Sequence, residues 1–381
     1  MSSPRLLAAL AFAFATATTG CFFVGNNNGA TGSGGGATSS DQDVAQYNAL
    51  QAKLEKNRKE FLTPGASGLN GFGTHLYWLD FTNGNPTLQS YDSATSKTVN
   101  YTFSIGDTCT YNYRTSNDII VNAENTGSNV VFHTFAIDQP GKSLGDLSTD
   151  PPSDGVEWWA YSPDGGDLYY VLTEGKTTLM KWTPGNATPT MLFNLEDLGV
   201  KVGEFEDFIV ASGVMVFIES GRVWSLDLTT KVPVPLGNMN ESQGASVMTG
   251  GVLISTATGP VYYDNQTKKL RDISAAITAS GYELNATFSD AAQFDNGAVT
   301  SDDLGFTSYQ NIVGYIGNSG IFTLDLDKGT VAPLLLDALD NSIVYAYPVF
   351  LDDGTVFVQG LQSSDGAIGF EGPVYELDTK L

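Results

Sequence analysis

The chain has 381 residues, 41% apolar and 11% aromatic, which is ample for a sizeable core in the roughly 320 residues beyond the first sixty. Its formal net charge of −24, from 18 Lys plus Arg against 42 Asp plus Glu, argues against a nucleic-acid partner, because phosphate binding needs a cationic surface to release counterions. Such a charge suits cationic ligands or divalent metals, and it also keeps a secreted protein soluble.

In chain order, one positive charge at Arg5 precedes Leu6 to Ala17, an apolar run interrupted only by Thr16. A run this short does not make a permanent membrane span, and with the small residues after it it reads as a signal peptide over 1–20. Thr18-Thr19-Gly20-Cys21 then resembles the lipobox of bacterial lipoproteins, with Thr18 where that family usually has Leu. The resemblance implies lipidation at Cys21 and a membrane partner through that anchor. Phe22, rather than the Asp that signals inner-membrane retention, implies an outer-membrane lipoprotein facing the periplasm or the cell surface. Residues 21–40 are rich in Gly, Ser and Asn and, from Phe22 on, lack charge until Asp41, as expected of a flexible tether reaching on the order of 20 Å.

Residues 41–63 are expected to form an amphipathic helix. Ser40 or Asp41 caps it, Val44, Tyr47, Leu50, Leu54 and Phe61 fall near one face, and Pro64-Gly65 ends it. Lys53, Lys56, Arg58 and Lys59 near its end complement the helix dipole, or meet anionic lipid or an acidic partner, including the acidic domain of this same chain.

Over 71–381 the pattern changes to short alternating runs of Val, Ile, Tyr, Phe and Thr separated by Gly, Asp and Asn turns. One motif recurs: an apolar strand that ends at an Asp, as at Asp92, Asp138, Asp227, Asp264, Asp325 and Asp378, with Thr183 in the Asp place once. The spacings run from 37 to 61 residues, with a mean of about 48, near the length of a four-stranded propeller blade. The expected fold is therefore all-β: a single β-propeller of about seven four-stranded blades, with six or eight as alternatives and a two-sheet sandwich array as the structural runner-up. The first copy lacks an obvious innermost strand and the last is one strand short, so N- and C-terminal strands sharing a blade would remove the free edge. Ser162-Pro163-Asp164-Gly165, a strand–turn–strand element echoed around Asp352-Asp353-Gly354, resembles the TolB-like propeller repeat.

Chemistry is sparse. Only two histidines exist, His75 and His133, both in strand-like runs and neither with zinc-helix spacing. Cys109, left without a partner if Cys21 carries lipid, reads as a buried thiol. Gly141-Lys142-Ser143-Leu144-Gly145 fits the Gly-x-Ser-x-Gly expression without the strand and helix a nucleophile elbow needs. Glu204, Glu206 and Asp207, with Glu196 and Asp197 nearby, are weak candidates for a calcium-type metal loop, and a solvated acidic loop is the simpler reading. Trp158, Trp159 and Tyr161 are candidate ligand contacts, since alternation puts the two Trp side chains on opposite faces. No cofactor motif is present and no catalytic residue is assigned. These features lead to the expectation of a lipid-anchored, non-catalytic scaffold binding a protein or envelope polymer. The alternative is an envelope hydrolase or lyase using carboxylates at the propeller channel, with or without a divalent metal.

Overall fold

The computed structural model describes residues 41–378 apart from connecting stretches, of which 81–86, 102–111, 150–160, 239–244, 281–297 and 300–305 are the longest. One helix, α1 (Asp41–Glu55), leads into strand β1 (Arg58–Leu62). Six blades follow, each an antiparallel meander. Blade 1 is β2 (Ala66–Phe72), β3 (His75–Asp80), β4 (Thr87–Asp92) and β5 (Lys97–Asn100). Blade 2 is β6 (Asn112–Thr115), β7 (Ile119–Asn125), β8 (Val130–Ala136) and β9 (Ser143–Thr149). Blade 3 is β10 (Tyr161–Asp164), β11 (Asp167–Leu172), β12 (Thr178–Trp182) and β13 (Thr190–Asn194). Blade 4 is β14 (Phe205–Ala211), β15 (Val214–Glu219), β16 (Arg222–Asp227) and β17 (Pro233–Asn238). Blade 5 is β18 (Ala245–Met248), β19 (Gly251–Thr256), β20 (Gly259–Asp264) and β21 (Lys269–Asp272). A short helix, α2 (Ser274–Ser280), and the two-residue strand β22 (Ala298–Val299), which pairs with β6, precede blade 6. Blade 6 is β23 (Phe306–Tyr309), β24 (Ile312–Gly317), β25 (Gly320–Asp325) and β26 (Thr330–Leu336).

The seventh blade is built from both ends of the domain. Strands β27 (Ile343–Phe350), β28 (Val356–Ser364) and, after the small β29 (Ala367–Ile368), β30 (Val374–Leu377) supply three strands, and β1 supplies the fourth. Arg58 lies opposite Leu377, Lys59 opposite Glu376 and Glu60 opposite Tyr375. The chain is thus a seven-bladed propeller whose closure leaves no unfilled fourth position. First strands of five pairs of neighbouring blades contact one another, β6 with β10, β10 with β14, β18 with β23, β23 with β27 and β27 with β2, as expected of strands that surround an axis.

The helix stops earlier than residue 63. Asn57 N–H donates to the Leu54 carbonyl (3.0 Å) in a tight turn, and 58–62 turn into strand. The local sequence permits either, and the tertiary partner decides: β30 offers an open edge. Phe61 packs edge-on against Tyr91 (4.7 Å between centroids) and Phe357 (5.0 Å). Of the expected helix face, Tyr47, Leu50 and Leu54 pack on blade 6, whereas Val44 is exposed. The propeller accordingly begins with β1 and β2, before residue 71. Strand β2 went unrecognised because Ala66–Phe72 carries two glycines. Gly71 is required there, since a Cβ would come within 2.3 Å of Val349 Cγ1 on β27.

The recurring Asp has a local cause. Asp227 Oδ1 accepts the amides of Thr229 and Thr230 (2.8 Å each), Asp325 Oδ1 those of Asp327 (3.0 Å) and Lys328 (2.9 Å), and Asp264 Oδ1 that of Thr267 (2.8 Å). Asp92 does the same for Ala94 and also accepts from the Thr95 and Thr74 hydroxyls. Each Asp ends the third strand of its blade and folds the four-residue loop to the outermost strand, pairing Asp92 with Lys97, Asp264 with Lys269 and Asp325 with Thr330. The loop closes through a left-handed residue: Ser96 (φ 56°), Lys231 (φ 56°) or Gly329 (φ 64°). Lys231 offsets that cost by reaching blade 3, where its ammonium donates to the Leu192 carbonyl (3.3 Å) and lies over the Phe193 ring (5.7 Å). Asp227→Ala is expected to cost about 1 kcal/mol, as loss of a side-chain cap does, lowering the urea midpoint at constant m; Asp227→Asn should recover most of it.

Candidate functional site

In a four-stranded meander the first and third hairpins of every blade lie at one rim, and the second hairpins and interblade connections at the other. The first rim collects Asp92, Asp164, Asp167, Asp227, Asp264 and Asp325. Their geometry decides whether they could act on a ligand. For Asp92, partial burial opposes ionisation, but hydrogen bonds from Thr95, Thr74 and the Ala94 amide outweigh it and hold the carboxyl below the usual range. The same side chain partly offsets the burial that lowers the neighbouring His75 imidazole. Asp325 is held low chiefly by Lys328, whose ammonium lies 2.5 Å away. Asp92 and Asp325 therefore stay ionised, and each serves a turn of its own blade.

Ser162-Pro163-Asp164-Gly165 is a staple between blades. Ser162 Oγ accepts the Val210 amide (2.9 Å) and donates to the Val210 carbonyl (3.3 Å), while Asp164 Oδ2 accepts the Gly213 amide (3.2 Å), both in blade 4. On the other side the Gly165 carbonyl accepts from Ser116 Oγ of blade 2 (2.5 Å), and Gly165 takes the left-handed φ of 57° that the turn needs. A related bond, Asp352 N–H to the Gly73 carbonyl (2.7 Å), joins blade 7 to blade 1.

Lys181, on blade 3, donates to Asp167 Oδ2 (2.6 Å) and its ammonium lies 5.7 Å from the Tyr169 ring centre. The bond to Asp167 raises the ammonium above its usual value, and burial raises the Tyr169 phenol. Tyr161 is fully buried between blades 2 and 3, with its ring 5.3 Å from that of Phe132. It is a packing residue, which corrects the reading of it as a ligand contact. Trp158 and Trp159 lie outside the described residues, as do Cys21, Cys109 and Glu204. Glu206 and Asp207 lie on β14, the innermost strand of blade 4, and not in a loop; the register shifts between Phe205 and Asp207, so Glu206 is the bulged position. Asp197 pairs with the Lys176 ammonium and accepts from Asn194 (2.9 Å), and Glu196 accepts the Thr177 amide (2.9 Å), so both acids secure blade 3. Among the described residues no three His, Cys, Asp or Glu side chains are placed to hold a metal ion.

His133 sits on β8 between two carboxylates, with Nδ1 3.1 Å from Asp146 Oδ1 on β9 and Nε2 3.0 Å from Glu124 Oε2 on β7. The two ring nitrogens point away from each other, so the acids cannot converge with the imidazole on one ion; they lash three strands together. Ser143 of the Gly-x-Ser-x-Gly run opens β9 and accepts the Gly145 amide (3.2 Å), a turn contact.

A cavity of about 400 Å³ lies at the ring closure, where Lys56, Arg58 and Lys59 meet Glu376 and Asp378. Only Lys53 stands in the last turn of α1. Arg58 is spent inside, with its guanidinium 4.5 Å from the Tyr375 ring centre and 5.6 Å from that of Tyr345, and 3.6 Å from Glu55.

No family model and no curated protein matches the chain. Among solved structures, a chain from a structural and mechanistic study of two prolyl endopeptidases aligns over 90% of this chain and 56% of its own, at a TM-score of 0.50 and 10% identity. This chain therefore spans little more than half the length of that protein. A chain from a nidogen/laminin complex aligns over 56% of this chain and 82% of its own, at a TM-score of 0.37 and 13% identity. At 10% identity the first likeness speaks for fold alone, and it agrees with the propeller read from the sheets. Sequence reasoning found the rim carboxylates through their spacing. It missed the interblade staple, whose signal was the one strict Ser-Pro-Asp-Gly.

Proposed function

We propose that this chain is a lipid-anchored propeller of the cell envelope, a non-catalytic scaffold whose rim docks a cationic segment of a protein or envelope polymer. The observation that supports it is the use of the repeated carboxylates. Asp92, Asp227, Asp264 and Asp325 are each fixed by the turn of their own blade, so together they form an array of carboxylates distributed around the rim and not a convergent constellation, and such an array suits an extended cationic partner. The anchor rests on the lipobox-like segment ending at Cys21 and on the uncharged tether after it, with an outer-membrane location following from Phe22.

Labelling cells with radioactive palmitate is expected to mark the wild-type protein and not Cys21→Ala; equal signal in both would sink the anchor. For the scaffold, crosslinked envelopes should yield a partner whose recovery falls with rising salt. Repeated recovery of the protein alone would count against it. One observation favours the enzymatic alternative, namely that Glu206 and Asp207 lie on an innermost strand. Hydrolysis of an envelope polymer abolished by Glu206→Gln or Asp207→Asn would establish that reading instead.

A further inference from the structure

We propose that the cavity at the ring closure is a binding site for a small zwitterion of the phosphoethanolamine class, a phosphate ester joined to a primary ammonium. The blade repeat explains why charges stand available there. In blades 1, 4, 5 and 6 the Asp at the end of the third strand is occupied by amides of the loop to the fourth. In blade 7 those two strands, β30 and β1, come from opposite ends of the domain, and no such loop joins them. Asp378 keeps the place after β30 and its amide donates to the Asn57 carbonyl (2.6 Å), but its carboxylate has no partner among the described residues. The equivalent carboxylate of blade 6, Asp325, holds both its loop and Lys328.

The walls of the cavity are divided by charge. Its volume of about 400 Å³ falls within the range of about 300–1,000 Å³ usual for small-molecule sites. Lys56 and Lys59 line it where α1 gives way to β1, and Glu376 and Asp378 line it from β30. Lys59 lies directly opposite Glu376 in the ladder, yet among the described residues neither lysine forms an ion pair with either acid. Arg58 is already engaged by Glu55 and two aromatic rings, which leaves two cations and two anions. Thr355, before β28, also lines the cavity; it is 6% exposed, and its hydroxyl has no hydrogen bond among the described residues. A buried hydroxyl of this kind calls for a partner from outside the chain.

Separated charges of both signs fit a ligand that carries both. The lysine ammonium groups donate to phosphate oxygens, and Glu376, Asp378 and the Thr355 hydroxyl accept from a primary ammonium. Inorganic phosphate would face two carboxylates with nothing to offer them, and a quaternary ammonium has no N–H to donate. The site depends on neither the anchor at Cys21 nor a cationic partner at the rim.

The test is calorimetric titration of the intact protein with O-phosphoethanolamine, glycerophosphoethanolamine, glycerophosphocholine and inorganic phosphate. An ethanolamine ester is expected to bind at least about tenfold more tightly than glycerophosphocholine or inorganic phosphate. Preference for the glycerol diester assigns a membrane-lipid headgroup as the source, and preference for the monoester assigns a free metabolite. Lys59→Gln and Asp378→Asn, both at exposed positions, should each weaken binding on the order of tenfold with an unchanged melt, and Lys56→Gln replaces either one that does not fold. No binding of either ethanolamine ester, equal binding of inorganic phosphate, or undiminished affinity in these variants would each overturn the proposal.

Discussion

A variant lacking residues 41–63 is expected to self-associate and to melt well below the intact chain. It loses β1, so the β30 edge in blade 7 stands open, and an unpaired strand edge beside an apolar core is a template for a second copy. It also strips α1 from blade 6, uncovering the apolar surface under Tyr47, Leu50 and Leu54. Phe61→Ala separates packing from pairing, because it keeps the backbone ladder and removes a ring in contact with Tyr91, Phe357 and Trp78. With Phe61 only partly buried, the expected loss is about 3 kcal/mol, near the lower end for an aromatic truncation, or roughly 5 °C in Tm. Light scattering and thermal melts check both. A monomeric truncation with an unchanged melt would mean that the ring closes without its N-terminal strand.

Arg222→Ala is expected to be the most damaging single change at an exposed position. Glu219 is fully buried at the end of β15; one carboxylate oxygen meets the Arg222 guanidinium and the other accepts the Gly203 amide (3.3 Å). Removing the cation leaves a buried charge with one weak partner. Such losses run at about 3–5 kcal/mol, and the lower figure applies here because the Arg222 side chain is 45% exposed and water screens part of the pair. Adding Glu219→Gln to Arg222→Ala should restore most of the stability, since the buried charge goes with the cation. Denaturant curves of the two variants test this, and equal instability of both would show that the pair itself contributes little.

Much of the fold was readable in the chain because the repeat is a local device. An Asp that caps its own loop must recur wherever a third strand turns into a fourth, whatever the blade packs against, and so Asp92, Asp227, Asp264 and Asp325 marked the blades. Two elements were hidden for the opposite reason. Strand β1 continues an apparent helix face through Phe61, and its true partner lies some three hundred residues away. Strand β2 is masked by the glycine that lets it approach β27. The long interval between Asp264 and Asp325 comes from α2 and the segment around β22, which the spacing registered without explaining. At the candidate site, the repeated carboxylates could be found by spacing and their turn bonds are local, but the interblade bond of Asp164 depends on a neighbour that no window of sequence contains. Tyr161 shows the limit plainly: an aromatic beside a strict turn motif looks available for stacking until the adjacent blade covers it.

The shared seventh blade also sets an order on synthesis. Arg58–Leu62 leaves the ribosome early, whereas Val374–Leu377 emerges about three hundred residues later, a delay of roughly 15–60 s at ordinary elongation rates. Throughout that interval the first strand made has no mate, while the blades between can fold as local meanders. Its sequence fits the wait: Arg58, Lys59 and Glu60 put charge on three of its five residues, the composition that discourages a lone strand from pairing with a stranger. Assembly of this molecule is thus finished by its oldest strand.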